Sequence, residues 1–393
     1  MKILTLVESL GIGGTERVAQ NFSIGYQNLN CETKVLTTNG LGKRSEYLTA
    51  KNIEVFDGKE DLAKSIKAII KWKPDIIHIH RPGYFNEMNN LLHLLKTTNT
   101  KVVETNIFAR PDFSKSANLV DVHFHLSNWC LWKWGKWTRG LNQIGAVIPN
   151  LIDCEKFKNK PNRLSRHLHL ASLSHQAIIL GRVGQPIAAK WDIVIFDVLA
   201  ELLKKNQNYY LVLVGLPPEL KTSLKGYDKM VQDHTILIDT ISNDDELNSL
   251  YQDFDVFLHA SKIGESFGMV LAEAHLNKVP IVTMNTPLKD NSQNEIVGNN
   301  RGGFVVSDKR NMIKAIEKLT NDKALGINFG LAGQQYIIHN FEMNLIAGKS
   351  LQLCEILQKN LNKNKTCLEI NQNGVQTKCD DSTIQALNQN IMG

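Results

Sequence analysis

The chain has 393 residues, of which 42% are hydrophobic and 21% are charged, as is typical of a soluble globular protein with two or three domains. No apolar run approaches the roughly 20 residues that a membrane-spanning helix needs, and the first residues form no signal-peptide pattern. The 6 cysteines are scattered without a CxxC pair, which argues against a zinc site or a disulfide framework. These features predict a cytoplasmic protein.

The formal net charge of +6 is unevenly distributed along the chain. Residues 1–165 hold 23 Lys and Arg against 15 Asp and Glu, whereas the remainder holds 22 against 24. A basic first half is suited to anionic lipid or to a phosphorylated acceptor. An ordinary solvated excess of charge is the alternative.

Strand-like apolar runs alternate with longer helical patterns, which predicts parallel sheets flanked by helices. The runs are Lys2–Val7, Thr33–Leu36, Ile76–Ile79, Val102–Glu104, Ala177–Leu180, Tyr210–Val214, Thr235–Ile238, Val256–Leu258 and Pro280–Thr283. The alternation pauses in the polar, basic stretch Pro149–Ser174, and we place a domain boundary there, after residue 165. Residues beyond 360 are polar and weakly periodic, which predicts a flexible or peripheral tail.

A glycine cluster follows the first strand, at Gly11, Gly13 and Gly14. It is not a dinucleotide-binding fingerprint, because Glu16 stands where the third glycine would be. A lone glycine cluster does not by itself identify a cofactor.

His78 and His80 end a later strand, where alternation puts both side chains on the same face. The carboxyl ends of strands face the ligand crevice in open α/β sheets, so either histidine is a candidate for contact with an acceptor. Buried hydrogen-bonded histidines, or surface ones, are the alternatives.

Residues 128–139 hold four of the 6 tryptophans, interleaved with basic residues. The tryptophans are Trp129, Trp132, Trp134 and Trp137, and the basic residues are Lys133, Lys136 and Arg139. On a helix, at about 100° per residue, the tryptophans spread over roughly 200°, which is too wide for a clean core stripe. Tryptophan with basic residues suits a membrane interface, and a packed helix with lysine stems over aromatic rings is the alternative. We expect no nucleic-acid partner.

Two cations lie near a strand–helix junction in the second half. Gly181-Arg182 follows an apolar strand, and Lys190 lies eight residues beyond Arg182. Such a pair suits a pyrophosphate, because arginine offers a planar fork of donors and lysine a point charge.

The segment Glu265–Glu273 is a glycine-bearing loop that runs into a helix, with a carboxylate at each end. Eight residues of helix span roughly 12 Å, about the distance from a sugar ring across two phosphates to a ribose. Gly268 lets the backbone approach closely, and the helix start offers N–H groups and a positive dipole end to phosphates. An ordinary surface helix with acid in its first turn is the alternative.

Several motifs together resemble those of the retaining glycosyltransferases of family four, in the group called glycosyl transferases group 1, which have the GT-B fold. They are Gly11–Arg17, Val147–Asn150, Gly181-Arg182 with Lys190, Tyr251–Ser261, Glu265–Glu273 and Val279–Val282. The resemblance implies an α/β fold of two Rossmann-like domains facing across a central cleft. Residues 1–165 would bind the acceptor and residues 166–340 the nucleotide sugar. A helix at 341–360 would return to the first domain, before a polar tail at 361–393.

The resemblance also implies transfer of a hexose from a nucleotide-diphosphate sugar to a hydroxyl of a glycan or lipid-linked acceptor, with retained anomeric configuration. The catalytic residues would be Arg182 and Lys190, which stabilise the departing diphosphate, and Glu265, which orients the sugar. Glu273 would hold the ribose. Further donor contacts would come from Gly13, Gly14, Gly215, Ser266, Phe267, Gly268 and Met269. The acceptor-side candidates are His78, His80, Asn106 and Arg110. No metal or other cofactor is expected, since the two cations take the metal's role.

Three positions depart from the family pattern. Asn106 stands where many relatives carry a histidine, Trp191 follows Lys190 where glycine is usual, and the usual glycine near Asp239 is absent. These departures keep open a catalytically silent nucleotide-sugar-binding or scaffold protein, and the fold would also suit a sugar-nucleotide epimerase. The Trp-rich segment favours a lipid-linked acceptor at the inner face of the cytoplasmic membrane, with membrane contact through Trp129, Trp132, Lys133 and Lys136.

Overall fold

The computed structural model describes residues 1–11, 13–83, 86–158, 167–241, 243–359, 362–389 and 391–392. The chain divides into two compact units, Met1–Asp153 with Asn340–Ile384 and Cys154–His339 with Gln385–Gly393. The boundary predicted after residue 165 falls among residues 159–166, which lie outside the described residues. The division of the structure comes earlier, at Asp153.

Each unit is built on a parallel sheet, which confirms the α/β class. The strands of the first unit are β1 (Lys2–Val7), β2 (Glu32–Thr37), β3 (Glu54–Asp57), β4 (Ile76–Arg81), β5 (Lys101–Asn106), β6 (Val122–His125) and β7 (Gly145–Val147). Those of the second are β8 (Ile178–Val183), β9 (Tyr209–Val214), β10 (Thr235–Ile238), β11 (Val256–His259), β12 (Ile281–Met284) and β13 (Gly303–Val306).

The strand order reverses once in each sheet. The first sheet has the order β3-β2-β1-β4-β5-β6-β7, and the second has the order β10-β9-β8-β11-β12-β13. The chain therefore winds in opposite directions on the two sides of the β1–β4 pair and of the β8–β11 pair. Open α/β sheets bind ligands at the carboxyl ends of the strands beside such a switch point.

Helices connect the parallel strands, as the crossover geometry of such sheets requires. Up to the second sheet they are α1 (Gly14–Asn28), α2 (Lys43–Ala50), α3 (Gly58–Trp72), α4 (Asn86–Leu95), α5 (Asn128–Trp137) and α6 (Glu155–Lys158). Around the second sheet they are α7 (Val194–Leu203), α8 (Pro218–Leu224), α9 (Lys229–Asp233), α10 (Asp244–Tyr251), α11 (Met269–Leu276), α12 (Gln293–Val297), α13 (Lys309–Asn321) and α14 (Lys323–Phe341). The last are α15 (Met343–Gln358), α16 (Lys363–Gln372) and α17 (Asp381–Gln389).

Helix α15 packs against α1 in the first unit. A Cβ on Gly25 of α1 would come within 2.8 Å of the Cβ of Ala347 in α15, so the two helices approach closely. The Tyr26 hydroxyl lies 2.7 Å from Ser350 Oγ across the same contact. The segment predicted to return to the first domain thus forms part of the core of that unit.

The described part of the tail is ordered against both sheets, which corrects the expectation of a flexible segment. Ile370 and Val375 are buried in the core of the first unit. The Val147 amide in β7 donates to the Gln376 carbonyl at 2.9 Å, and the Met392 amide donates to the Val305 carbonyl in β13 at 2.9 Å. Sparse apolar residues give no helical periodicity, but a few of them suffice to anchor a segment whose backbone pairs with edge strands.

The core of the second unit lies between its sheet and helices such as α7 and α13. Leu211 and Leu213 of β9 and Leu258 of β11 are among its buried side chains. None of the described helices is both long enough and apolar enough to cross a bilayer.

Candidate functional site

The switch point of the second sheet brings together the cations and the acidic loop that the sequence singled out. Arg182 is the penultimate residue of β8, and Gly181 before it is paired with Phe257 of β11. Glu265 lies in the loop that leaves β11 and enters α11. These side chains therefore share the edge at which an open α/β sheet binds ligands.

Arg182 is buried, and it makes no direct ion pair with any residue that the structure describes. Its side chain is only 1% exposed. Nη1 donates to the Val183 carbonyl at 2.5 Å and Nη2 donates to the Lys190 carbonyl at 3.0 Å. Burial lowers the pKa of Arg182 to about 10, against the opposing influence of the nearby Glu265 and Tyr251. The guanidinium therefore remains a cation at neutral pH.

Trp191 fills the place in the loop where the sequence comparison expected a glycine. Its indole is buried, lies 4.9 Å from the Arg182 guanidinium carbon, and donates from Nε1 to the Gln185 carbonyl at 2.8 Å. Lys190 Nζ donates to Gln185 Oε1 at 3.1 Å, and the Lys190 side chain stays partly exposed. The departure at Trp191 thus shapes the loop around the two cations.

The backbone of Glu265 is fixed from several sides. Gly264 before it has a φ of +69°, and a Cβ at that position would collide with the Asp290 carbonyl oxygen. The Glu265 amide donates to Gln293 Oε1 at 3.2 Å, and the Ser292 amide donates to the Glu265 carbonyl at 2.9 Å. The side chain keeps 15% of its surface exposed, so its carboxylate is held in place and remains accessible.

The Glu265 carboxylate joins the two cations in one electrostatic cluster. Burial raises the pKa of Glu265, but the hydrogen bond and charge of His259, together with Lys190 and Arg182, bring it below its usual value. His259 Nε2 lies 3.2 Å from Glu265 Oε1. The structure therefore brings the predicted catalytic residues Arg182, Lys190 and Glu265 together.

Helix α11 starts next to this cluster with a glycine at its N-cap. Gly268 has a φ of +96°, in the left-handed region, and has no side chain with which to cap the helix. The N-terminus of a helix attracts anions through its free N–H groups and its dipole. Ser266 Oγ donates to Asp290 Oδ2 at 2.8 Å, and Phe267 is buried, so the loop before Met269 is rigidly held.

Two further predicted donor residues are Glu273, which lies in α11, and Gly215, which directly follows β9. Glu273, in the second turn of α11, is mostly buried, and the Tyr251 hydroxyl lies 3.2 Å from its Oε2. Gly215 follows β9 with a φ of +77°, and a Cβ there would collide with the Gly184 carbonyl oxygen. Asp239, near the predicted base-binding region, is almost fully exposed.

The other predicted donor residues, Gly13 and Gly14, belong to the first unit. Gly13 is the N-cap of α1 and Gly14 its first residue. A Cβ on Gly13 would collide with the carboxylate of Glu16, which folds back over the helix start, whereas Gly14 has open space beside it. Ile12, between the glycines, lies outside the described residues.

His78 and His80 lie on one face of β4, as alternation predicts, but that face is the core of the first unit. Their ring centroids are 4.1 Å apart. His78 Nδ1 lies 2.8 Å from the Tyr26 hydroxyl, and Nε2 lies 2.8 Å from Thr105 Oγ1. Both side chains are buried, and burial lowers the pKa of His80 to about 3. The acceptor-facing interpretation is therefore replaced by the buried one.

Asn106 holds a turn, which corrects the expectation that its amide binds an acceptor. Its Nδ2 donates to the Arg110 carbonyl at 2.7 Å, while the Arg110 amide donates to its Oδ1 at 3.1 Å. The Arg110 side chain is exposed, with its guanidinium carbon 5.2 Å from the Phe108 ring centroid. Of these two acceptor-side candidates, Arg110 keeps its side chain accessible.

The Trp-rich segment forms α5, and most of it is covered. Trp129 is buried, and both Trp132 Nε1 and Lys136 Nζ donate to Asp381 Oδ1 of α17, at 2.7 and 2.5 Å. Trp137 is 66% exposed. Trp129 is therefore too buried for the predicted membrane contact, whereas contact through Trp132, Lys133 and Lys136 stays a prediction.

Sequence reasoning missed a buried ionic network in the first unit. Arg81 Nε donates to Glu104 Oε1 at 2.7 Å, and Arg81 Nη1 donates to Asn89 Oδ1 at 2.5 Å. His123 Nδ1 lies 2.6 Å from Glu104 Oε2, and Asp112 Oδ2 lies 4.0 Å from Arg81 Nη2. Charged residues inside strands otherwise rich in valine and isoleucine were the available signal.

Sequence reasoning also missed the side chains that support Glu265. His259 ends β11, six residues before Glu265, and Gln293 begins α12. His259 was visible as the last residue of a buried strand that enters the candidate loop. Gln293 had no comparable signal, because its contact spans 28 residues of sequence.

A family model matches part of the second unit. Residues 171–336 match the family model described as Glycosyl transferases group 1. No curated protein sequence matches the chain.

Solved structures agree on the fold. A glycosyltransferase from Rickettsia africae ESF-5 is 17% identical, with 91% of this chain and 99% of that one covered and a TM-score of 0.73. HepE from Anabaena, solved in complex with UDP-glucose, is 18% identical, with 89% of this chain and 99% of that one covered and a TM-score of 0.68. Sucrose-phosphate synthase from Thermosynechococcus elongatus is 15% identical over 92% and 100% of the two chains, with a TM-score of 0.69.

These similarities confirm the predicted GT-B fold. The family match covers the strands β8 to β13 and the loops that hold Arg182, Lys190 and Glu265. Residues 171–336 are therefore similar to the glycosyl transferases group 1, and the chain has the GT-B fold.

Proposed function

We propose that the protein is a retaining hexosyltransferase that uses a nucleotide-diphosphate sugar as donor. The observation that carries this proposal is the cluster of Arg182, Lys190 and Glu265 beside the N-terminus of α11. Two cations and a helix N-terminus offer positive charge, while one partly exposed carboxylate offers acceptors for hydroxyls. A sugar joined to a diphosphate matches this combination of groups.

Each group has a role in this proposal. Arg182 and Lys190 stabilise the diphosphate as it leaves, and the backbone N–H groups of residues 267–269 contact the distal phosphate. Glu265 orients the transferred sugar. Glu273, in the second turn of α11, binds the ribose. Gly215, which has no side chain, allows close approach of the nucleoside.

The reaction forms a bond between the acceptor hydroxyl oxygen and the anomeric carbon. The bond from that carbon to the diphosphate oxygen breaks, and its electron pair stays with the diphosphate. The acceptor attacks the face from which the diphosphate leaves, so the configuration is retained, and the acceptor proton moves to a diphosphate oxygen on that face. The protein contributes orientation and charge stabilisation. We propose that the two cations supply this charge without a metal ion.

We further propose a glycan or lipid-linked acceptor bound through the first unit. The excess of basic residues there supports this assignment, as do the exposed Trp137, which ends α5, and the exposed Arg139 just after it. Such residues suit the interface of an anionic membrane. Peripheral contact with the inner membrane face follows from this part of the proposal.

The test is turnover of donors labelled with ¹³C at the anomeric carbon. UDP-sugars come first, because HepE, with a similar fold, was solved with UDP-glucose. GDP- and ADP-sugars follow, each with and without a membrane lipid extract as acceptor, in buffers with and without EDTA. Release of nucleoside diphosphate and the one-bond C–H coupling of the product anomer are measured.

The proposal expects release that depends on the acceptor, an unchanged anomeric configuration, and no effect of EDTA. An inverted anomer would overturn the retaining mechanism, and a loss of turnover in EDTA would overturn metal independence. Conversion of the donor to an isomer without acceptor would identify an epimerase. Binding without turnover in any mixture would identify a silent binding protein.

A further inference from the structure

A buried histidine connects the Glu265 carboxylate to a threonine on the next strand. His259, the last residue of β11, is paired in register with Thr283 of β12. His259 Nδ1 lies 3.0 Å from Thr283 Oγ1, and Nε2 lies 3.2 Å from Glu265 Oε1. His259 and Thr283 are both fully buried, so water does not compete for these contacts.

The chemistry of the three groups fixes where the hydrogen atoms lie. An ionised carboxylate only accepts hydrogen bonds, so the contact with Glu265 requires a hydrogen on Nε2 of His259. A neutral imidazole then has a bare Nδ1, which accepts from the Thr283 hydroxyl. Burial and the cations Arg182 and Lys190 lower the pKa of His259 against the opposing effect of Glu265, which keeps the ring neutral at pH 7.

A fixed carboxylate is valuable at this position. A free glutamate side chain has several rotamers, and ordering it on ligand binding costs conformational entropy. The loop backbone of Glu265 is already fixed by Gln293 and Ser292. A hydrogen bond from a rigid, buried ring would fix the remaining torsions before the donor arrives.

We propose that His259 is a positioning residue, held by Thr283 in the Nε2–H tautomer, that aims Glu265 at the sugar of the donor. This inference rests on the proposed function for the role of Glu265. It adds to that function a positioning residue, His259, and the tautomer of its ring, and it assigns separate roles to two pairs of residues. The pair acts on the sugar, whereas Arg182 and Lys190 act on the diphosphate. His259 touches no substrate, and Glu265 Oε2 makes no hydrogen bond within the described part of the chain.

The first experiment measures the tautomer directly. Full-length protein labelled with ¹⁵N in its histidines is compared with His259→Gln to assign the His259 ring signals by NMR between pH 7 and 8. The proposal expects a protonated Nε2 and an unprotonated Nδ1 throughout, a mixed tautomer in Thr283→Val, and the wild-type pattern in Thr283→Ser. A protonated Nδ1 in the wild type, in either a neutral or a charged ring, would overturn it.

The second experiment separates sugar from diphosphate. Affinities for a nucleoside diphosphate and for its sugar conjugate are measured by calorimetry in the wild type, His259→Leu and His259→Gln. Losing one hydrogen bond to a charged group predicts that the affinity for the sugar conjugate falls about tenfold to a hundredfold in His259→Leu. Affinity for the diphosphate alone should stay within about twofold, and His259→Gln, which keeps a donor for Glu265, should recover much of the loss.

A matched control separates positioning from stability. Thr320→Val removes a threonine hydroxyl that lies 2.8 Å from the hydroxyl of Tyr209, the first residue of β9. Because the proposed site lies at the carboxyl ends of the strands, this change should leave both affinities unchanged. Equal losses for diphosphate and sugar conjugate in His259→Leu would mean a structural role and would overturn the proposal. A wild type that binds no nucleotide would overturn the proposed function and the sugar-positioning role, whereas a mixed wild-type tautomer would overturn the His259–Thr283 arrangement alone.

Discussion

The switch points of the two sheets use their charges in different ways. In the first unit, Arg81 at the end of β4 is paired at 2.7 Å with Glu104 of β5. In the second unit, Arg182 near the end of β8 donates its hydrogen bonds to carbonyl groups. Both guanidinium groups are buried. Arg81 has a carboxylate partner inside the protein, whereas Arg182 has none within hydrogen-bond distance among the described residues, and under the proposed function a diphosphate pairs with it.

This difference teaches how to judge a buried arginine. Burial of a charge is costly unless it is paired, so an arginine without a carboxylate partner at a strand end indicates a site for an anion. An arginine with a carboxylate partner indicates an internal network, even at the same point of the same kind of sheet. The partner, and not the position, distinguishes the two cases.

Removing Arg81, the cation of the buried network in the first unit, should have the largest effect, which is a loss of stability. Arg81→Met leaves Glu104 and Asp112 buried without their cation, so the free energy of unfolding of the first unit should fall by about 3–5 kcal/mol. Urea unfolding is followed by tryptophan fluorescence in a Trp191→Phe background, because the remaining tryptophans lie in the first unit. Lys34→Met is the control, since its partly exposed pair with Glu54 should contribute under about 1 kcal/mol. Equal effects of the two variants would contradict the comparison.

Removing Arg182 from the open cluster, which we define as Arg182, Lys190 and Glu265, should lower activity. Arg182→Ala withdraws charge from the departing diphosphate, so kcat/KM for the donor should fall about 100- to 1000-fold. Initial rates of nucleoside diphosphate release measure this, with Lys205→Ala as the control, because Lys205 is exposed and paired with Glu317. A loss below about tenfold in a folded Arg182→Ala protein would mean that the open cluster is not the reaction site.

Acid should act on the internal network with a defined sign. Burial raises the pKa of Glu104, but Arg81 and His123 lower it more, from 4.5 to about 2. Glu104 therefore contributes stability above pH 4.5 that is lost as the pH falls towards 2, and the full contribution is about 3 kcal/mol. Glu104→Gln should flatten the dependence of first-unit stability on pH in that window. An unchanged slope would show that other carboxylates dominate acid unfolding.

The smallest effect is expected at the surface after α5. Arg139→Ala removes one exposed cation, so partitioning onto anionic vesicles at low salt should fall about fivefold. Vesicle sedimentation measures this, and Lys205→Ala in the second unit should bind as the wild type does. Wild-type protein that ignores anionic vesicles would remove the membrane from the proposal.

The sequence alone was enough to predict the fold and the cluster around Arg182 and Glu265. The apolar runs at β8, β9 and β11 were sufficient for the α/β class, and the family resemblance of the motifs implied the GT-B fold. The cluster of Arg182 and Glu265 was also predictable, because both residues adjoin buried strands. The network around Glu104 was not, since it depends on contacts between different strands.

The errors of sequence reasoning have the same origin. Alternation placed His78 and His80 on one face correctly but could not tell that this face carries the core. Asn106 was judged as a ligand residue, whereas its amide closes a five-residue turn with Arg110. Whether a polar side chain finds a partner inside the protein depends on tertiary packing, which periodicity does not report.

The most direct test of the account is calorimetric titration of the wild type, Arg182→Ala and Lys205→Ala with UDP, GDP and ADP. The account predicts that one of these nucleotides binds the wild type and Lys205→Ala equally. It should bind Arg182→Ala at least about tenfold more weakly, as expected when a charge-assisted contact is lost. Absence of binding to the wild type, or equal affinity for all three proteins, would contradict the claim that Arg182 binds a nucleoside diphosphate.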